Sequence, residues 1–506
     1  MLTPNDLIPP RLIDTDSYKL THSRMYPPDV VEMGAYFTFR GPLTADDHRI
    51  VFYGIRYLFT KFFSTPITQA DLDALDKYTA THGVGKTQFY YPRELWQAVI
   101  DKYDGYIPVT IRALKEGSVV YPQVPCFTLE SRRLNADEFE DLVTWFETAL
   151  MRIWSPCVTA TKSFQVRDFL QELFEQTVDE EAHFLLDSRL HDFGGRGVSS
   201  QETAMTTGIG HLLAFEGTDT LTAGWLATVL NDGKPVGESV WATEHSVMTS
   251  WVGELEATLH VLEQAPEGSI VSVVADSTDY DKFLWSIVPE LVETVQRKNQ
   301  IFVARPDSGN PLTCVLDGLR ALESAFGYTT NSKGYKVLNN SAVIQGDGLN
   351  VAMIKTIARA VVEAGYSIQN VAFGMGGGLL QKQDRDTLKA AIKLCYTRTA
   401  DGTLHDIMKA PTDDISKTSL PGSLQVNTVD GIPTVFPALA TWEDKVSFHN
   451  RLQPIYDCGP TDYEWDDFDT VRNRARRQYH SMPKHAEVLS NQMKAKLSKT
   501  VELLRA

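Results

Sequence analysis

The stretches VSVVADS (271–277), IFVARPDSGN (301–310), AVIQGDG (342–348) and NVAFGMGGG (370–378) are built to one plan: an apolar run ends in small or acidic residues, and a helical stretch follows. RLHDFGGRG (189–197) and LLAFEGTDT (212–220) repeat the plan less regularly. Their spacing, about 20 to 55 residues, suits strand-helix units of a parallel sheet or barrel. In such folds the residues at the carboxyl ends of the strands converge on one face, where ligands bind. Here that face receives an Arg-Pro-Asp, a Gly-Asp-Gly and a Met-Gly-Gly-Gly. This inventory of a cation, carboxylates and bare backbone suits a phosphorylated sugar.

The 506 residues exceed one ordinary domain and predict two or three. A content of 43% hydrophobic and 22% charged residues is that of a soluble globular protein. No apolar run approaches the roughly 18 residues of a membrane span, and no membrane partner is expected. The N-terminal MLTPNDLIPPRLIDTDSYK has no basic start and no apolar core of a signal peptide. Five scattered cysteines without CxxC spacing argue against a disulfide framework or a zinc site and predict a cytoplasmic protein with reduced thiols. A formal charge of −17 disfavours nucleic acid and requires any anionic ligand to find a local basic pocket.

Along the chain, VEMGAYFTFR (31–40) alternates as a strand with Val31, Met33, Ala35, Phe37 and Phe39 on one face. VFYGIRYLFTKFF (51–63) predicts a helix, IPVTIRAL (107–114) and PCFTLE (125–130) predict strands, and two helices over 137–154 and 158–177 are broken at Ser155-Pro156. Strand-helix alternation dominates from about 185 to 385. It gives way to loops such as 409–423, a strand pair around Asp430-Gly431 and a helical tail near 484–505. The expected parts are 1–180, 181–389 and 390–506, with the outer two forming one α/β domain that flanks a central barrel.

Several motifs carry chemistry. GMGGGL (374–379) lets backbone N–H groups approach phosphate, especially if a helix starts at Leu379 or Leu380, although a tight turn also explains it. It fits neither GxGxxG nor GxxxxGK[ST]. In ARPDSGNP (304–311), Arg305 offers a planar fork for phosphate, and Asp307 can hold ribose hydroxyls or metal-bound pyrophosphate; a structural ion pair is the plain alternative. Asp347 lies between two glycines, as many turn aspartates do. His245 follows Glu244, and Asp276 at a strand end can orient its ring, leaving the other nitrogen as nucleophile, ligand or proton carrier. Phe193 offers a stacking surface beside Arg196, and Tyr18 sits in the polar DTDSYKLTH (14–22).

Taken in order, DTDSYKLTH, YFTFRGP, LHDFGGRGVSSQETA, GTDT, EHS, SVVADS, RPDSGNP, NSKGYK, VIQGDG and AFGMGGGLLQK resemble the nicotinamide phosphoribosyltransferases. These belong to the nicotinate/nicotinamide phosphoribosyltransferase family of type II phosphoribosyltransferases. The resemblance runs from Asp14 to about Lys417 and implies an irregular TIM-like α/β barrel with a flanking α/β domain, working as a homodimer. It implies that nicotinamide stacks between Phe193 and a Tyr18 donated by the partner, with Arg196 and Asp219 at the ring edge. Arg305, Asp307, Gly346, Asp347, Gly376 and Gly377 would hold the phosphoribosyl group. Arg40, Arg385, Lys393, Lys409 and Lys417 would meet pyrophosphate or ATP. His245 matches the histidine that ATP phosphorylates, assisted by Glu244 and Asp276. Mg²⁺, held mainly by pyrophosphate, and ATP as co-substrate complete the expectation. Gly195 and Met375 depart from the bulkier or polar residues of some relatives.

The implied reaction is transfer of 5-phosphoribosyl from phosphoribosyl pyrophosphate to nicotinamide, giving nicotinamide mononucleotide and pyrophosphate in NAD salvage. Asp219 favours the neutral amide, whose N–H₂ donates to a carboxylate, over the acid, whose charge it repels. The rival readings are a nicotinate phosphoribosyltransferase, a phosphosugar isomerase or aldolase, and a non-catalytic extracellular signal. No Schiff-base lysine or acid-base pair stands out for the isomerase or aldolase.

Overall fold

A computed structural model describes residues 7–131, 142–411, 418–438 and 449–505. The chain divides into two compact units. One comprises Met1–Val158, Asp384–Asp466 and Arg477–Ala506, the other Thr159–Gln383 and Asp467–Arg476.

The second unit holds six parallel strands: β1 (Leu190–Asp192), β2 (Trp241–Ala242), β3 (Ile270–Val274), β4 (Ile301–Arg305), β5 (Ser341–Gln345) and β6 (Val371–Met375). They are ordered β1-β6-β5-β4-β3-β2. Residues 217 and 218 continue the array, because Asp192 N–H donates to Gly217 O at 3.0 Å and Thr218 N–H to Glu238 O at 2.9 Å. Glu238 leads directly into β2, so the array closes as the irregular barrel. Val271, Val273, Phe302, Val343 and Phe373 are buried, as expected of parallel strands covered on both faces.

The intervening helices start on local signals. Asn310 accepts the Thr313 N–H ahead of Pro311–Phe326, whose first residue is proline; Asn350 accepts the Met353 N–H ahead of Val351–Glu363. Residues 467–476 are bound to this unit by arginines. Arg472 meets Glu216 at 2.9 Å and Leu212 O at 2.9 Å, while Arg476 meets Ala214 O at 3.0 Å and Asp187 at 3.1 Å.

The first unit is built on an antiparallel six-stranded sheet ordered Leu404–Asp406, Ala391–Thr399, Val30–Thr38, Pro125–Ser131, Val109–Ala113 and Gln453–Asp457. Val30–Thr38 alternates as its sequence predicts but is buried on both faces. Tyr36 is 1% exposed, and its hydroxyl accepts the Leu420 N–H. Three expectations change. Of the helix expected over 137–154, residues 137–141 lie outside the described residues, and the rest forms two short helices, Leu142–Trp145 and Glu147–Met151. The 51–63 stretch is a strand, Ile50–Phe52, and then a helix, Ile55–Phe63; Gly54, at φ +102°, turns the chain between them. Pro156 does not end a helix but lies in the first turn of Trp154–Thr177, where its missing N–H has no intrahelical partner to lose. Asp430 and Gly431, both at positive φ, join Leu424–Val429 to Ile432–Pro437 as expected. Among the described residues no helix is long and apolar enough to cross a membrane.

Candidate functional site

Phe193 follows the last residue of β1, and its N–H donates to Met375 O at the end of β6 at 3.0 Å. Gly374 makes room for the ring: a Cβ there would lie 2.0 Å from Phe193 Cε2. The Arg305 guanidinium carbon stands 5.1 Å from the ring centroid, a cation–π approach. Phe193 is therefore a positioned plate with a cation beside it.

Buried Asp192 anchors this plate, a role the sequence reading did not give it. Its Oδ1 accepts the Gly194 N–H at 2.7 Å and its carbonyl accepts the Asp219 N–H at 2.9 Å. One residue thus sets both the Phe193 turn and the loop that carries Asp219. Burial pushes its carboxyl up to about 6 against the pull of the Gly194 N–H. The aspartate of HDFGG was visible as a motif member, but nothing local distinguished it from an ordinary turn residue.

Asp219 is exposed, and its Oδ1 accepts the Ser239 hydroxyl at 2.6 Å. Ser239 has no motif around it and was also missed. Arg196 is largely exposed and reaches Glu244 at 3.5 Å. The Ser246 hydroxyl and that guanidinium hold the Glu244 carboxyl below its ordinary value.

His245 opens the short helix His245–Met248 just after β2. Its Nε2 lies 3.4 Å from Asp276 Oδ1 and its Nδ1 lies 3.7 Å from Asp307 Oδ2. The sequence reading left the second nitrogen free; the structure sets it toward another carboxylate. The Asp276 side chain is only 4% exposed, and its Oδ2 accepts the Asp307 N–H at 3.0 Å. Asp276 therefore holds the RPDSG turn as well as facing the imidazole. Asp307 in turn meets Arg305 at 3.2 Å.

Most of these side chains meet at one cavity of about 440 Å³, lined among others by Phe193, Asp219, His245, Arg305, Asp307 and Gly346. Arg196, Glu244 and Gly376 also line it, whereas Asp276, exposed Asp347 and Gly377 do not. The short helix after β6 is Gly377–Leu380, two or three residues earlier than expected, so Gly376 directly precedes it. Gly195 lines the cavity too, and a Cβ there would lie 2.9 Å from Thr220 Oγ1; Met375 is buried. An aromatic plate, cations, carboxylates and bare backbone surrounding one space of this size can hold a flat base joined to an anionic sugar.

The remaining predicted residues belong to the first unit. Lys393 is pushed down by burial and by Arg40, with Lys409 and Arg385 adding to the push and Glu147 opposing it. Arg40, Arg385 and Lys409 therefore form a group of cations around Lys393. Within it, Arg40 Nε donates to Lys389 O at 3.0 Å and Arg385 pairs with Asp386. Tyr18, in Ser17–Arg24, is 59% exposed, with its hydroxyl on Asp16 at 3.0 Å. Lys417 lies outside the described residues. No group of three or more His, Cys, Asp or Glu suited to a metal ion is present among those described.

Residues 188–456 match the model of the nicotinate phosphoribosyltransferase (NAPRTase) family, and residues 11–111 match that of the nicotinamide phosphoribosyltransferase N-terminal domain. The chain is 39% identical over 419 residues to the nicotinamide phosphoribosyltransferase of Xanthomonas campestris pv. campestris (strain 8004), covering 82% of this chain and 86% of that one. It is 30% identical over 441 residues to that of Mycoplasma pneumoniae, covering 81% and 94%. Among solved structures it resembles the nicotinate-nucleotide pyrophosphorylase from Pyrococcus furiosus at a TM-score of 0.60, with 15% identity and coverage of 96% and 98%. Human nicotinic acid phosphoribosyltransferase gives 0.57, with 17% identity and coverage of 97% and 100%. At such identities the two structures speak for the fold alone.

Proposed function

The chain belongs to the nicotinate phosphoribosyltransferase family, and from that premise we propose that it is a nicotinamide phosphoribosyltransferase, a pentosyltransferase of NAD biosynthesis. The observation that carries this reading is the single cavity in which Phe193, Asp219, Arg305 and Asp307 meet, in a chain whose relatives bear that name. The amide is favoured over the acid because Asp219 accepts from an N–H₂ and repels a carboxylate.

In the transfer, the pyridine nitrogen bonds to the anomeric carbon as that carbon's bond to pyrophosphate breaks, and the bonding pair leaves with pyrophosphate. The pyridine takes the positive charge, so the protein need not move a proton. Its work is to align the ring and stabilise charge as it develops. Phe193 stacks the base while Asp219 and Arg196 grip its edge. Arg305, Gly346 and Gly376 hold the phosphoribosyl group with Gly377 and Asp347. Asp307 takes ribose hydroxyls and sits near the developing oxocarbenium charge.

Arg40, Arg385, Lys393 and Lys409 receive pyrophosphate or ATP, with Lys417 as a fifth cation. Mg²⁺ would take most of its oxygens from pyrophosphate and would supply charge neutralisation. His245 couples ATP to the transfer: a ring nitrogen attacks the γ-phosphorus, ADP leaves, and water later releases phosphate. Asp276 orients the ring, and Glu244 acts beside it. The exposed Tyr18 closes the base site of a second copy in a homodimer. Five scattered cysteines without CxxC spacing favour a cytoplasmic location.

The test is formation of nicotinamide mononucleotide from nicotinamide and phosphoribosyl pyrophosphate, with and without ATP and with nicotinate as the competing base. Failure to form product in either condition would sink the reading.

A further inference from the structure

Lys162 sits in Trp154–Thr177 and is 8% exposed. Its ammonium donates to Gly378 O at 3.1 Å and to Lys382 O at 3.3 Å, its hydrogen-bond partners among the described residues. No acid among the described residues pairs with it, and burial alone brings it down to about 8. Neighbouring side chains brace the same backbone without charge: Thr159 donates to Leu379 O at 3.2 Å, and Gln383 donates to Thr159 at 2.9 Å. A neutral amide at position 162 could also meet the two carbonyls. A cation carries a desolvation cost that two carbonyl dipoles offset only in part.

The location gives that charge a use. Gly378 is two residues from Gly376, which lines the cavity, so the ammonium lies on the order of 10 Å from that wall. Burial of Lys162 withdraws the ammonium from solvent and its ions. We propose that Lys162 is the buried counter-charge of the phosphate subsite on the Gly376 turn. It fixes the turn from behind and completes its charge balance when a sugar phosphate binds in front. This rests on the phosphosugar reading of the cavity and adds to it a residue outside every motif.

The probe is ribose 5-phosphate, which carries the monoester but no pyrophosphate, titrated into the full chain by calorimetry at pH 7 and pH 10. Lys162→Met should weaken it about tenfold at pH 7 and leave nicotinamide affinity unchanged. Wild type should lose a similar factor between pH 7 and pH 10, because a neutral amine still bonds both carbonyls but no longer attracts the phosphate. Lys162→Met should lose no such factor. Lys162→Arg, charged throughout, should bind with little change over that range, and it decides the matter with wild type if the methionine variant does not fold. Unchanged affinity in folded Lys162→Met, or equal pH dependence in wild type and Lys162→Arg, overturns the proposal. So does a wild type that forms nicotinamide mononucleotide without binding ribose 5-phosphate. Loss of product formation alone would strike the functional reading instead, while the titration still reports on Lys162.

Discussion

Asp219 lines the cavity with one carboxylate oxygen already accepting the Ser239 hydroxyl. Replacing it with serine removes the repulsion of a bound acid and one acceptor for the amide. Asp219→Ser should therefore lower the nicotinamide-to-nicotinate ratio of kcat/KM by about tenfold or more, read with both bases under identical conditions. An unchanged ratio would assign the selection elsewhere. His245→Ala should keep slow transfer but lose its stimulation by ATP, checked by initial rates with and without ATP. Asp192 titrates in an accessible range. Its carboxyl lies near 6 when folded and near its ordinary 3.8 when unfolded. The folded chain therefore holds the proton more tightly, and Asp192 lowers stability progressively as pH rises from about 4 to about 6. Asp192→Asn has no such charge to bury. Its stability relative to wild type should improve between pH 4 and pH 7 by up to about 3 kcal/mol, measured by denaturant unfolding at both pH values. A pH-independent difference would mean that Asp192 is not buried as a charge. The variant should still bind nicotinamide less well, because Gly194 loses a charged acceptor that helps set the Phe193 turn.

At the scale of elements, the strand ends of the barrel were legible because each couples an apolar run to a break that few other structures need. Parallel strands buried on both faces read as Val- and Ile-rich runs, and the breaks read as GMGGG, QGDG and RPDSG. What those breaks do to one another was not legible. Gly374 belongs to the glycine run expected at phosphate, yet its demonstrated constraint is steric and concerns the aromatic plate. Gly374→Ala would place a Cβ inside the Phe193 ring, so either the ring or strand β6 must move. The expected result is a folded protein with at least a tenfold rise in nicotinamide KM, assayed beside circular dichroism to separate lost binding from lost fold. The sequence presents Asp276 only as the orienter of His245, and its bond to the Asp307 N–H joins neighbouring strand ends that lie 31 residues apart in the chain, which no local pattern encodes. The 51–63 stretch misled for a related reason. Its apolar residues satisfy helical and strand periodicity alike, and only Gly54 marks the change.

At the scale of the whole molecule, the two units divide the predicted residues unequally. The base, ribose and histidine residues lie in the barrel unit, while Tyr18 and the described pyrophosphate cations lie in the other. Sequence order revealed the motifs but not that residues 467–476 join the barrel unit through Arg472 and Arg476. A ring as exposed as Tyr18 is available to a second copy of the chain, and a C₂ dimer that shares its sites makes a prediction that a self-contained site does not. Tyr18→Ala and Phe193→Ala each damage every site of their own homodimer. In a random mixture of the two, half the dimers are hybrids. Each hybrid pairs an intact Tyr18 with an intact Phe193 at one site and concentrates both lesions at the other. Co-refolding equal amounts should therefore restore roughly a quarter of wild-type activity. A mixture no more active than its parents, in chains shown by sedimentation to have exchanged, would mean that Tyr18 serves its own subunit or none.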